Sequence, residues 1–516
     1  MSVTPCSTVR MALAVVAASA LAGCTAPPRH SAWVALRAAD EVVPPPAWRS
    51  PMPPASPDGE RARAATQPAP EAAARSTRDG EHSHPSRAER AVWVAWADAD
   101  LLALIEQAWR AHPDVRSALA AVVQARAALT QAQALQGPAV TAGSSAARTR
   151  VGDAAAATRW QAQLDGAWEL DWLGRRTAGT QAAQQDLAAA AADAALARQT
   201  VAANVALAWI EVWSASERLR LARENVQALQ HALRLTLWRA QAGLASEQDA
   251  ATARASVAQA EAAVPAIEAQ WQQARHALAV LTGQTPQAEL PQPTRAPEPP
   301  SAWTMPTPAS VLARRADVAA AEARLRAAVA RVRQADAARW PGLTLGGTLS
   351  WSAPRVSDLF DVQAMTRSLV LRLVATVFDG GSAQAQVLAQ EAAVERARAA
   401  LAGTLLAALK DVENALSALA AVHVRRQRLD AAERDAAVAE QLAAQRYAAG
   451  LTDLRSLLDA QRTLIGIRTD VVQAQADWAA QHVRLRLALG AESDEDAADR
   501  RGDRAATHSD PSFPHR

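Results

Sequence analysis

The stretch Trp160-Gln161-Ala162-Gln163-Leu164-Asp165-Gly166-Ala167-Trp168-Glu169-Leu170-Asp171-Trp172 decides the architecture. Its even positions are Trp160, Ala162, Leu164, Gly166, Trp168, Leu170 and Trp172, and its odd ones Gln161, Gln163, Asp165, Ala167, Glu169 and Asp171. A period of two puts the first set on one face of a strand and the second on the other. The run is longer than the roughly 9–11 residues that a tilted strand needs to cross a bilayer. Leu343 to Trp351 alternates in the same way, and Ser368 to Phe378 and Val140 to Ala146 are weaker partners. A half-buried sheet in a soluble domain produces the same pattern. Here, however, tryptophans stand at the strand ends as in an interfacial girdle, and no other strand-rich segment exists to complete a sandwich. The expectation is a transmembrane barrel, with Trp160, Leu164, Trp168, Leu170 and Trp172 toward lipid and Asp165, Glu169 and Asp171 toward a watery lumen. Four strands cannot close, and open edges cannot face lipid because their amides and carbonyls would go unsatisfied. Roughly eight strands is the smallest closed barrel and an aqueous lumen needs more, so three chains sharing twelve strands is the expected solution.

Around these strands the chain is helical and repeats itself. Pro113-Asp114-Val115 precedes Pro138, Val140 and Thr141 as Ala316-Asp317-Val318 precedes Pro341, Leu343 and Thr344, a shift of 203 residues. Ala242-Gly243-Leu244, Ala253 and Gly283 correspond to Ala449-Gly450-Leu451, Ala460 and Gly490, a shift of 207. An ordered series with a nearly constant shift marks a duplicated unit. Each unit reads helix, two strands, long helix, return helix. In the first, helices are expected at about Asp100 to Gln136, Arg176 to Ala242 and Ser246 to Leu281. In the second they are expected at Val311 to Arg339, Gln384 to Ala449 and Thr452 to Leu489. At 1.5 Å per residue the long helices would be roughly 100 Å long and need lateral neighbours. A free-standing coiled coil explains such lengths equally well, but not the strands between them.

The ends read as address and tether. Arg10, an apolar run from Met11 to Leu21, and Leu21-Ala22-Gly23-Cys24 form a secretory leader over residues 1–23. Its last four residues resemble a bacterial lipobox, which implies acylation of Cys24, and Thr25 in place of an aspartate favours the outer membrane. Residues 24–92 are rich in Pro, Ala, Arg and Ser and are expected to be an extended or disordered tether. The first repeat is placed at 93–290, a Pro-rich linker at 291–308, the second repeat at 309–490, and a disordered polar tail at 491–516. With only Cys6 and Cys24, the mature chain has no disulfide and is held by packing. A net charge of +2 argues against a nucleic-acid partner. Much of the hydrophobic content is alanine, a helix former that suits close-packed long helices. No paired-Cys metal motif, phosphate-binding glycine loop or nucleophile elbow is present, so neither a cofactor nor an enzyme is expected. His82 and His84 fall in the tether and read as solvated.

Several segments, in order, resemble the outer-membrane efflux protein family (TolC-like, with the lipidated OprM/NodT-like branch nearest). They are Trp168-Glu169-Leu170-Asp171 with Gly174-Arg175-Arg176, Arg315-Ala316-Asp317-Val318-Ala319-Ala320-Ala321-Glu322, Val377-Phe378-Asp379-Gly380-Gly381, Tyr447-Ala448-Ala449-Gly450-Leu451 and Leu458-Asp459-Ala460-Gln461-Arg462. Ala316 stands where the branch usually has proline. The resemblance spans about Trp93 to Gly490. It implies a homotrimeric 12-stranded barrel continuous with an α-helical periplasmic tunnel, a periplasmic adaptor, and an inner-membrane transporter of the resistance-nodulation-division (RND) type. An exit channel for protein secretion is the alternative within the family, and a lipid-anchored coiled-coil scaffold without a pore the alternative outside it.

The resemblance also implies a periplasmic gate at the turns Gly243-Leu244 and Gly450-Leu451. Tyr447, the only tyrosine, would hydrogen-bond Asp249 of the other half. Asp459 would form a threefold carboxylate ring at the narrowest point, favouring cations; otherwise it is a solvated acid paired at i,i+4 with Arg455. Two departures bear on that gate. Ser456 replaces a second aspartate, and Arg455 replaces an apolar constriction residue.

Overall fold

The computed structural model describes residues 42–50, 52, 87–300 and 305–490, so the lipobox, most of the tether and the tail lie outside the described residues. The chain divides into two compact units, residues 1–43 and 44–516, and everything below concerns the second. Its helices are α1 (Arg87–Val94), α2 (Ala99–Ala111), α3 (Pro113–Ala134), α4 (Arg175–Gln241) and α5 (Glu247–Leu281) in the first half. The second half has α6 (Pro308–Arg314), α7 (Ala316–Ala337), α8 (Ser382–Ala448) and α9 (Leu454–Leu489). The strands are β1 (Ala139–Thr149), β2 (Ala157–Leu170), β3 (Gly342–Ala353) and β4 (Met365–Val374). Among the described residues no helix is long and apolar enough to cross a membrane.

The duplication is metrical. Helices α3 and α7 both have 22 residues, α4 and α8 both 67, and α5 and α9 have 35 and 36. The four extra residues of the second half fall between the starts of β3 and α8, in its hairpin. Helix α7 packs on both α4 and α8, and so does α9. The short helices of the second half, end to end, therefore lie between the two long helices, while α3 and α5 cover the far side of α4. The joints of this stacking are glycines. Gly283 ends α5 at φ 75°, and a Cβ there would lie 2.6 Å from that of Ala111. Gly490 ends α9 at φ 77°, where a Cβ would lie 3.3 Å from the Cα of Arg315. Only glycine takes that left-handed backbone without strain and lets the helix ends meet.

Opposite each joint the chain breaks, which corrects two expected helices. Asp100 to Gln136 is not continuous: His112 is extended, its Nδ1 accepts from the Asp114 N–H, and Pro113 opens α3. Proline has no N–H to continue the ladder and is favoured at a first helical position. Val311 to Arg339 likewise divides at Arg315, although Ala316 supplies no proline. Here the side chain fixes the break. Arg315 is 9% exposed, pairs through two nitrogens with Asp317 (3.0 and 2.7 Å), and donates to the Ala488 carbonyl at 2.7 Å. Burial pulls its pKa down, but the bonds and charges of Asp317 and Asp411 more than offset that and raise it overall. The expected tether also carries structure. Helix α1 begins inside it, and Trp48 donates its indole N–H to the Pro306 carbonyl at 2.8 Å. The Arg49 and Ser50 N–H groups then donate to the Glu413 carboxylate at 2.7 and 3.2 Å.

The main core is built where α2 lies on α4. Leu101, Leu104, Ile105, Val205 and Trp209 are buried there, joined by Leu278 of α5 and Val483 of α9. Trp209 donates to Asp98 at 2.9 Å and Trp109 to the Arg198 carbonyl at 3.0 Å, so these two buried indoles have their N–H groups satisfied.

All four strands form one antiparallel sheet in the order β1-β2-β3-β4. The register keeps the alternation in phase. Leu164 pairs with Ala142 and Leu349, Trp168 with Leu345, and Leu345 with Leu371. On the other face Asp165 lies opposite Thr141 and Thr348, and Glu169 opposite Thr344. Strand β4 alternates least cleanly, with Val370 and Val374 on the polar face. The outer edges of β1 and β4 have no partner strand among the described residues. Strand β2 ends at Leu170, which moves two residues out of it. Trp172 lies in the following turn, and its indole donates to the Pro341 carbonyl at 3.1 Å. Asp171 is not a luminal strand residue; it accepts from the N–H groups of Arg176 and Thr177 at 2.9 and 2.8 Å and so caps α4. Asp379 does the same for α8 through Gly381 and Ala383.

Candidate functional site: the helix tips

The long helices end together at the pole opposite the sheet. Each ends in a glycine at positive φ, Gly243 at 72° and Gly450 at 76°. The Leu244 N–H returns to the Arg239 carbonyl at 2.7 Å and the Leu451 N–H to that of Arg446 at 2.8 Å. This pattern satisfies the last carbonyls of a helix and turns the chain sharply. It leaves Leu244 and Leu451 at the apex, 70% and 72% exposed.

Directly inside the turns lies a small apolar cluster of Ala232, Ala253, Tyr447, Leu454, Leu457 and Leu458. Tyr447 is 2% exposed, and its hydroxyl is 2.7 Å from that of Thr236 on α4. Thr236 in turn donates to the Ala232 carbonyl of its own helix at 2.8 Å. The Arg239 guanidinium lies 4.6 Å from the centre of the Tyr447 ring and donates to the Tyr447 carbonyl at 2.6 Å. One aromatic residue of α8 is thus held by α4 through a hydroxyl pair, a cation over its face and a main-chain bond.

The expected partner is different. Asp249 is occupied within its own turn, where its carboxylate accepts from the N–H and hydroxyl of Ser246 at 3.0 and 2.7 Å. Ser246 accepts back from the Asp249 N–H, which makes a capping box at the start of α5. Within the protomer Tyr447 is therefore latched to Thr236 and not to Asp249, because a buried phenol takes the hydroxyl that faces it. The second tip carries the same pair with the residues exchanged. Asp453 caps α9 and accepts from the Ser456 N–H at 3.0 Å and its hydroxyl at 2.5 Å. Those bonds hold the Asp453 carboxyl below its ordinary range. Ser456 thus has a structural task at the position where the first half has Asp249.

Asp459 lies one turn along α9, 57% exposed, with Arg462 at 3.1 Å and Arg455 at 3.9 Å. The i,i+4 pairing is present, and Arg462 is the nearer cation. Sequence reasoning missed Thr236 and Arg239. Arg239 had a signal, since it stands one repeat shift before Arg446. Thr236 had none, because nothing in a helix interior marks a threonine that faces a distant tyrosine.

The family model described as "Outer membrane efflux protein" matches residues 104–284 and 307–491. The two stretches begin 203 residues apart and end 207 apart, the shifts of the internal repeat. The chain belongs to the outer membrane efflux protein family. Among its relatives, the pyoverdine export outer membrane protein OpmQ of Pseudomonas putida is 32% identical over 77% of this chain and 87% of its own. Outer membrane protein OprJ of Pseudomonas aeruginosa is 31% identical over 71% of this chain and 78% of its own. The solved outer-membrane channel OprN superposes with a TM-score of 0.73 at 29% identity, covering 78% of this chain and 92% of that one. VceC of Vibrio cholerae gives 0.71 at 26%, covering 79% and 99%. This outer membrane efflux protein is an outer-membrane channel subunit of a tripartite efflux pump, and its helical body and four-stranded sheet are one protomer's share of such a channel.

Proposed function

We propose that three copies of this chain close a twelve-stranded barrel through β1 and β4. The closed trimer works as a passive exit duct for small molecules delivered by a periplasmic adaptor and an inner-membrane RND-type transporter. The observation that carries this reading is the sheet: four strands in phase, apolar on one face and polar on the other, with two open edges. In lipid those edges must pair, and β4 of one protomer with β1 of the next is the closed solution. The polar face, with Gln161, Gln163, Asp165 and Glu169, then lines the lumen. Acylation of Cys24 adds a second anchor. The exposed Leu244 and Leu451 at each tip suit an adaptor with an apolar socket.

At the tips, the Tyr447–Thr236–Arg239 contact ties α4 to α8 and favours the closed end of the tunnel. Asp459 contributes a threefold carboxylate ring, with Arg455 and Arg462 reducing its charge. Asp249 acts through the turn it caps. Purified protein should be trimeric and conduct in planar bilayers. Cysteines scanned along β1 against a cysteine on β4 should give disulfide-linked dimers and trimers. A monomer that neither conducts nor crosslinks overturns the reading.

A further inference from the structure

The apolar face of the sheet is interrupted by charge at one end only. Arg148, next to last in β1, pairs with Thr158 and shares a face with Trp160 and Leu164. Arg367, third in β4, pairs with Leu349 of the same face. Both are exposed, and neither has a carboxylate partner among the described residues. Arg150 and Arg355 follow in the adjoining hairpin loops; Arg150 bonds only the Ala154 carbonyl of its own loop, at 3.2 Å. The loop acids point to other duties, since Asp358 accepts from the Ser357 hydroxyl at 2.7 Å and Asp361 from the Gln363 N–H at 3.2 Å. Asp153 is a turn residue off the strand face, and Arg159 falls on the polar face beside Gln161.

The helix end of the same face carries no charge. There Trp168 donates to the Gln136 carbonyl at 2.8 Å and Trp172 to that of Pro341, with Leu170, Leu343, Leu371 and Leu373 between. Indoles with satisfied N–H groups suit an ordinary phospholipid interface. Guanidinium groups on a lipid-facing surface are tolerated where they can reach headgroups, and their planar fork matches phosphate oxygens in pairs. The two ends of the sheet are thus fitted to two different leaflets.

We propose that Arg148 and Arg367, with Arg150 and Arg355 behind them, form a collar that binds the phosphates of outer-leaflet lipid. Its ligand is a glycolipid that carries two phosphates, matched to the two guanidinium groups. This rests on the barrel reading above. Because Arg148 and Arg367 sit on the two edge strands, barrel closure brings them to opposite sides of every seam between protomers, where one lipid can bridge neighbours.

The test uses the full-length trimer in nanodiscs of phosphatidylcholine doped with bis-phosphorylated glycolipid, the same glycolipid dephosphorylated, or phosphatidylglycerol. Native mass spectrometry should show the bis-phosphorylated form retained at about tenfold lower mole fraction than either other lipid. That preference should vanish in R148Q/R367Q and persist in R159Q, with trimer fraction and conductance unchanged in both. Equal retention of the dephosphorylated form or of phosphatidylglycerol, or full retention by R148Q/R367Q, overturns the proposal. Failure of the barrel reading shows separately, as a parent protein that is monomeric and does not conduct.

Discussion

The hydroxyl of Tyr447 lies 2.7 Å from that of Thr236, and this pair joins the ends of two 67-residue helices that α7 and α9 hold apart along their length. A neutral hydrogen bond contributes about 1 kcal/mol, and a trimer repeats it three times. Tyr447→Phe with Thr236→Val should therefore shift the tip toward the open state by a factor on the order of a hundred if the protomers open together. Conductance in planar bilayers and susceptibility to large antibiotics would report it. Asp249→Ala leaves the pair intact and should open the duct less. If Asp249→Ala leaks more, the latch runs between protomers.

The faces of β2 should differ sharply in their tolerance of charge. Arginine at Leu164, on the apolar face, should impair membrane assembly by about 2–4 kcal/mol per chain near the bilayer midplane. Arginine at Gln163, one residue away on the polar face, should assemble normally. The yield of heat-resistant trimer in outer-membrane fractions measures both. Equal tolerance would return the sheet to a soluble setting.

The Trp48–Ser50 strap should release in acid. Burial raises the Glu413 pKa, but the Arg49 and Ser50 N–H groups and the Ser50 hydroxyl lower it more, so the net shift is downward. A carboxyl whose folded pKa is depressed stabilises the docked state above its unfolded pKa, and that contribution is lost as pH falls through the folded value. The protection of the residue 48–50 amides, taken relative to the intrinsic exchange rate at each pH, should thus be high at neutral pH and fall below the ordinary carboxylate range. Glu413→Gln should remove the pH dependence of that protection. Trp48→Ala should loosen the strap at every pH by roughly 1–2 kcal/mol, since only part of the indole is buried.

Cys24→Ser should abolish labelling by radioactive fatty acid, while trimers still assemble because the barrel is itself an anchor. Unchanged labelling would refute the acylation site.

Much of this was legible in the residues because periodicity reports what surrounds a segment. The alternation of Trp160 to Leu170 fixed face and register together, since a slip of one residue would exchange Leu164 with Asp165. The repeat shift paired the turns Gly243-Leu244 and Gly450-Leu451, and the family resemblance made them the tips. Local punctuation was read less well. Trp172 continues the parity of the strand yet lies beyond its end, because Asp171 caps α4 and stops the pairing there. The break at Arg315 was hidden, since it depends on Asp317, Asp411 and the Ala488 carbonyl, the last two far away in the chain. The true partner of Tyr447 was hidden for the same reason. A side-chain contact across 211 residues leaves no local pattern.

The matched helix lengths carry a further consequence. Two long helices of 67 residues each, flanked by short helices of 22 and 35 or 36, match from half to half, so each half is the gauge against which the other is cut. An insertion in α4 alone would lift its tip out of line with that of α8 and part Tyr447 from Thr236. The same insertion made in both halves would merely lengthen the conduit. Tolerated length changes along the helices should therefore arise in pairs, whereas the hairpin loops, where the halves already differ by four residues, are free to drift singly.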